Sequence, residues 1–150
     1  MKSIFILFSL FFSLSSCNND ENNQIFPQNK EFDVIYNGVL GGNGSEGILR
    51  SNMVISNTTN WQNLMSKMNN SFNNVTDNFS ETDIDFDNYL IIAVFLEVKS
   101  NGWEIEITNI TEHENSLVVS TKETEFDSSV ITQPFSIVKI RRTEKTIEFE

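Results

Sequence analysis

The sequence predicts an α+β domain, one antiparallel β-sheet with a single main helix packed on it. Three observations predict it. Asn88–Val98, "NYLIIAVFLEV", is a near-continuous apolar run of strand length, the pattern of a central strand buried on both faces. Trp103–Ile110, "WEIEITNI", alternates instead, with Trp103, Ile105 and Ile107 on one face and Glu104 and Glu106 on the other. Trp61, Leu64, Met65 and Met68 fall at i, i+3, i+4 and i+7, an amphipathic helix whose stripe belongs to a core. A helix stripe and strands with one apolar face bury each other, which is the packing of an α+β domain.

The chain starts with a different kind of segment. Lys2 is followed by "IFILFSLFFSL" (Ile4–Leu14), 11 nearly all apolar residues. That length fits the apolar region of a signal peptide and falls short of the roughly 20 residues a spanning helix needs. "LSSC" (Leu14–Cys17) then resembles a bacterial lipobox, with an aliphatic residue three before the cysteine and small residues before the cut. The resemblance implies cleavage before Cys17, a diacylglyceryl group on its sulfur and an acyl group on its new amino end, palmitate-type chains among them. Two or more chains make anchoring stable where one is marginal. Cys17 is the only cysteine, so no internal disulfide can form and the core alone must hold the domain. Asp20 and Glu21, just after the cysteine, resemble the surface-export signals of Bacteroidetes lipoproteins. The expected organisation is a signal peptide over 1–16, an acylated N-terminus and flexible tether over 17–31, and the α+β domain over 32–150. The expected location is the outer membrane, lipid-anchored, facing the periplasm or the cell surface.

Within the domain, "FDVIYNGVL" (Phe32–Leu40) is rich in β-branched and aromatic residues and reads as a strand. "GGNGSEG" (Gly41–Gly47) is a loop, and "ILRSNMVISN" (Ile48–Asn57) a second strand. Thr58 or Thr59 caps the helix. Asn69–Asp83 is polar and loop-like. "SNG" (Ser100–Gly102) predicts a tight β-hairpin joining the Asn88–Val98 strand to Trp103–Ile110, since Asn-Gly suits a type I′ turn. "NSLVVSTKE" (Asn115–Glu123), "PFSIVKIRR" (Pro134–Arg142) and "TIEFE" (Thr146–Glu150) supply the remaining strands.

Charge and motifs narrow the function. The formal charge is -11, and loss of Lys2 with the leader makes it -12. That excludes a nucleic-acid partner and a basic membrane-surface patch. Gly42–Gly47 satisfies the letters of G-x-G-x-x-G, but a strand follows where a dinucleotide site needs a helix N-terminus. Asp83, Asp85 and Asp87 have the opening spacing of a calcium loop, yet its sixth and twelfth places hold Asn88 and Val94. His113 is the only histidine and has no cysteine near it, so no zinc site forms. No serine stands in a nucleophile elbow. Glu104 and Glu106 share a strand face and are the only carboxylate pair an enzyme reading could use; as solvated strand charges they need no chemistry. The expectation is a protein with no catalytic set, no cofactor and no metal.

Three stretches resemble the PrcB-like C-terminal domain. "NGSEGILRSNMVISNTTNWQNLM" (Asn43–Met65) is similar to its opening strand and Trp-bearing helix. "DIDFDNYLIIAVFLEVKSNGWEIEI" (Asp83–Ile107) is similar to its central strand and the Lys-x-Gly-Gly-aromatic hairpin that ends it. "QPFSIVKIRR" (Gln133–Arg142) is similar to its Pro-aromatic-x-aliphatic-Val strand. Glu46 stands between Ser45 and Gly47 where the family pairs Ser with Gly, and Asn101 stands where the hairpin has its first Gly. Membership implies a non-enzymatic lipoprotein, a binding or scaffold domain that anchors or stabilises a secreted subtilisin-like protease. The candidate partner contacts are Ser100, Asn101, Gly102 and Trp103 at the hairpin tip, with Gly44 and Ser45 in the glycine loop. A protease inhibitor using the same loops, and a ligand- or glycan-binding surface lipoprotein, are the alternatives.

Overall fold

The computed structural model describes residues 25–41, 44–69 and 74–150. In chain order these form β1 (Gln28–Asn29), β2 (Phe32–Gly41), β3 (Ser51–Ile55), α1 (Thr58–Met68), a 3-10 turn (Val75–Asn78), β4 (Tyr89–Phe95), β5 (Gly102–Glu112), β6 (Ser116–Phe126), β7 (Thr132–Arg141) and β8 (Thr146–Phe149). The α+β class with a helix packed on a sheet is as expected. The strands, however, divide into two stacked sheets. The inner sheet has the order β2-β7-β4-β3 and is antiparallel throughout. The outer sheet has the order β1-β5-β6-β8, with β8 parallel to β6.

The inner sheet is covered on both faces, and this explains the composition of β4. Ile91, Ala93 and Phe95 point into a core shared with Trp61, Leu64 and Met68 of α1. Leu90, Ile92 and Val94 point the other way, into a core shared with Ile105, Ile107, Leu117 and Val119 of the outer sheet. A strand with two buried faces has no polar face to alternate with. The outer sheet buries one face only, so β5 alternates. A bulge between Ile107 and Asn109 inserts one residue and returns Ile110 to the buried face.

Local chemistry sets the element ends. The cap of α1 is Asn57, one residue before the threonines expected. Its side chain accepts from the Asn60 N–H at 2.9 Å, and its extended backbone leaves Thr58 already helical. Asparagine reaches the third free N–H of a helix as well as any residue does. β3 is shorter than the Ile48–Asn57 expected. Ile48 is buried ahead of it, and its carbonyl accepts from Gln133 Nε2 at 2.7 Å instead of from a strand. Gln28 and Asn29, placed by composition in the tether, pair with Glu112 and Thr111 of β5.

The Ser100–Gly102 hairpin does not form. Both edges of β4 are already taken, by β3 and β7. The chain leaves the inner sheet at Lys99, whose backbone pairs with Thr132, and enters the outer sheet at Gly102. Type I′ turns need positive φ at both central residues. Among the described residues only Gly44 and Gly47 have positive φ. β5 instead forms its hairpin with β6, closed by the His113 N–H on the Ser116 carbonyl at 2.8 Å.

Candidate functional site

Strand directions give the domain a rim and a base. β2, β4, β5 and β6 meet the rim at Gly41, Phe95, Gly102 and Phe126. The base carries β1, the His113–Asn115 turn and the Arg142–Lys145 turn. β5 spans the two, ten steps of about 3.3 Å, or about 33 Å.

The rim brings the two candidate loops near each other. A Cβ added to Gly44 would sit 3.9 Å from Val98, two residues before Ser100. Gly44 and Gly47 take positive φ in a turn closed by the Gly47 N–H on the Gly44 carbonyl. Glu46, the residue that splits the Ser-Gly pair, is buried and accepts from the Gly41 N–H at 3.2 Å, fixing the loop to the end of β2. Ser45 and Ser100 are exposed. Asn101 donates to Glu125 Oε1 at 2.9 Å. Gly102 is required by close approach, because an added Cβ would lie 2.4 Å from the Phe126 ring and 2.7 Å from Ser128. Trp103 is half-buried, with Lys99 Nζ 4.4 Å from its ring centre. Cys17 lies outside the described residues.

Sequence reasoning missed the rim's apolar surface. Leu49, Val98, Phe126, Val130 and Ile131 are all exposed there, Leu49 by 82%. Val130 and Ile131 form an apolar pair between two strands, a signal that could have been read; the exposure of the others could not.

An ion network braces this surface. Glu97 accepts from Arg50 at 2.6 Å and pairs with Lys99 at 2.6 Å, and both cations also reach Glu123 of β6, at 3.2 and 3.6 Å. It ties the approach to β3 and the end of β4 to the outer sheet. Hydrogen bonding by Lys99, a backbone N–H and Arg50 holds the Glu97 carboxyl down at about 2, against an ordinary 4.5. A carboxyl depressed in the folded state contributes stability above its unfolded pKa. That contribution is lost as pH falls from about 4.5 through about 2. Glu97 is 46% exposed, so solvent screens the pair and it is worth under about 1 kcal/mol. Glu97→Gln should therefore lower stability slightly at pH 7 and flatten the acid limb of a urea-midpoint-versus-pH curve. An unchanged limb would mean the network contributes nothing.

The motif residues scatter. Glu104 and Glu106 lie on the exposed face of β5, and Glu106 is 3.9 Å from Lys122. His113 sits in the base turn, one length of β5 or about 33 Å from the rim. Asp85 accepts from the Asp87 N–H and the Asn88 amide, a turn-forming use of the side chain; the Asn88 bond lowers its pKa. Among the described residues no three or more His, Cys, Asp or Glu side chains gather to hold a metal, and no helix is long and apolar enough to cross a membrane.

Beside the rim lies a groove of about 400 Å³ between β2 and β5. Tyr36–Val39 form one wall and Trp103–Glu106 the other, with Val75 and Asn78 of the 3-10 turn and Thr124 and Phe126 of β6 completing the lining. Behind the lining residue Asn37, the Ile107 N–H donates to Ser136 Oγ at 3.1 Å, and Ser136 donates to Asn37 Oδ1 at 2.7 Å. This relay joins the two sheets through a buried serine of β7. No family model, curated protein or solved structure matches the chain.

Proposed function

We propose that the chain is a non-enzymatic, lipid-anchored binding domain of the outer membrane that holds a secreted protein at the cell surface. The observation that carries this reading is the polarity of the domain. β1 enters at the base beside Glu112, and five of the nine exposed large apolar side chains among the described residues, Leu49, Val98, Phe126, Val130 and Ile131, gather with both candidate loops at the rim, while Ile25, Val34 and Val54 are exposed elsewhere. A chain acylated at Cys17 and entering at its base turns the rim away from the bilayer. An exposed apolar patch of several residues is a surface for a protein partner. The lipobox-like Leu14–Cys17 supports the anchor. The resemblance of Asn43–Met65, Asp83–Ile107 and Gln133–Arg142 to PrcB-like domains supports a subtilisin-like protease as the partner class.

The test is mild cross-linking of intact cells carrying the tagged chain, then purification and mass spectrometry. One secreted protein should be recovered in stoichiometric amount. Val130→Ser with Ile131→Ser should cut that recovery by about tenfold, a loss of about 1.4 kcal/mol, at an unchanged urea midpoint. Cys17→Ser should free both proteins from the membrane fraction. Recovery of the chain alone would overturn the scaffold reading, and inhibition of a subtilisin-like protease by micromolar chain would replace it with an inhibitor.

A further inference from the structure

We infer that the split between β2 and β5 receives an extended, basic peptide segment of the partner, paired as an added β-strand. This rests on the binding-domain reading and specifies what the domain binds.

The two sheets almost close on each other along this side. At the base β1 bridges them. It pairs with β5 at Glu112 and Thr111, the Lys30 N–H continues the ladder to the Ile110 carbonyl at 2.8 Å, and two residues later the chain becomes β2 of the inner sheet. Above that point the edges part. β5 has β6 on one side and, from Gly102 to Ile107, no strand among the described residues on the other. β2 has β7 on one side. Its free edge is covered at Ile35 by the Ser80 N–H and at Gly41 by Glu46, and among the described residues no hydrogen bond covers its main chain between them.

Strand alternation fixes which groups are free. The Gly41 N–H points away from β7, so those of Val39 and Asn37 do too. The Ile107 N–H points away from β6 to Ser136, so those of Ile105 and Trp103 share its direction. The Ile107–Ser136–Asn37 relay fills with side chains the first position that a further strand would occupy. An edge of this kind is a template for pairing, and peptide recognition by strand addition takes its affinity from such main-chain bonds.

Charge selects the occupant. Glu104 and Glu106 flank the open edge; Glu104 has no ion pair among the described residues, and Glu106 has only Lys122 at 3.9 Å. Glu125 and Asp127 stand at the rim end of the neighbouring β6. Opposite charges directly across a strand pair attract and like charges repel. The added strand should carry Lys or Arg opposite Glu104 and Glu106. A second copy of this chain does not fit, because its own open β5 edge brings Glu104 and Glu106 against the same acids.

The experiment titrates the full acylated chain in detergent with three labelled ten-residue peptides. One alternates Lys and Val, one alternates Glu and Val, and one is the Lys-Val peptide with alternate amides N-methylated. The Lys-Val peptide should bind, more tightly than Glu-Val by about tenfold. It should also protect the Trp103, Ile105, Asn37 or Val39 amides from hydrogen exchange. N-methylation should abolish binding, and Glu104→Lys with Glu106→Lys, both exposed positions, should reverse the charge preference. Equal binding of the N-methylated peptide, protection only elsewhere, or no binding by any peptide overturns the strand-addition proposal. If the cross-linked partner is still recovered in that case, the binding-domain reading survives without it. If partner recovery is also lost, both fall.

Discussion

Trp61→Ala should lower the stability of the domain by about 3–5 kcal/mol, the range for deleting a large buried aromatic. The indole is 1% exposed and stacks on Phe79 with ring centres 5.8 Å apart. Its Nε1–H donates to the Thr82 carbonyl at 2.8 Å, which truncation leaves unpaired. It seats α1 on the inner sheet and holds the turn before β4 at the same time. In urea the midpoint should fall with an unchanged slope, and the thermal midpoint should drop by about 10 °C or more. Trp61→Phe keeps most of the buried surface and should cost less than half as much. A loss under about 1 kcal/mol for the alanine variant would mean that the helix does not pack through this residue.

Glu112→Ala should cost about 2–3 kcal/mol. Glu112 is buried at the base, and pairs with Lys145 at 3.0 Å and Lys30 at 3.3 Å. Removing one member of a buried ion pair costs about 3–5 kcal/mol because a charge is left uncompensated. The lower figure applies because the two lysines stay 22% and 23% exposed. Burial pushes the Glu112 carboxyl up, but hydrogen bonds and attraction from Lys145 and Lys30 outweigh it and hold the group below its ordinary 4.5. The stability it contributes is thus complete above about pH 4.5 and lost as the solution is acidified through the lower folded value. Glu112→Gln should remove that acid-dependent component. Hydrogen exchange should find the Lys30 amide, bonded to Ile110, less protected in both variants. Unchanged exchange would show that β1 stays docked without the ion pairs.

The sequence made some features legible for clear reasons. β4 was readable because two buried faces leave an uninterrupted apolar run. The α1 stripe was readable because Trp61, Leu64 and Met68 keep helical spacing, and all three are buried. The alternation of β5 correctly separated Ile105 and Ile107 from Glu104 and Glu106. Alternation says that one face of a strand is buried, however, and not against which sheet, so two sheets read as one. The Asn101-Gly102 signal failed for a related reason. A turn dipeptide favours a hairpin only if the strand before it has a free edge, and β3 and β7, distant in sequence, had already filled both edges of β4. The candidate loops were found because glycine and asparagine mark chain reversals whatever lies around them. The groove beside them was not, since it is made by two edges that part, and no residue type records a neighbour that is missing.

The docking of β1 at the base has a mechanical consequence. If the membrane pulls on the N-terminus and a bound partner pulls on the rim, the tension runs parallel to β2 and β7. These strands are paired in antiparallel register from Phe32 opposite Ile140 to Gly41 opposite Thr132. Antiparallel ladder bonds lie perpendicular to the strands, so the pull tries to slide β2 past β7 and strains the whole ladder at once. A pull across the sheet would open the same bonds one after another, at much lower force. The short β1 ladder and the Lys30–Glu112 pair stand ahead of β2 in the same geometry. A domain held at its N-terminal end and tugged at its rim would then resist until the whole β2–β7 ladder gives way together.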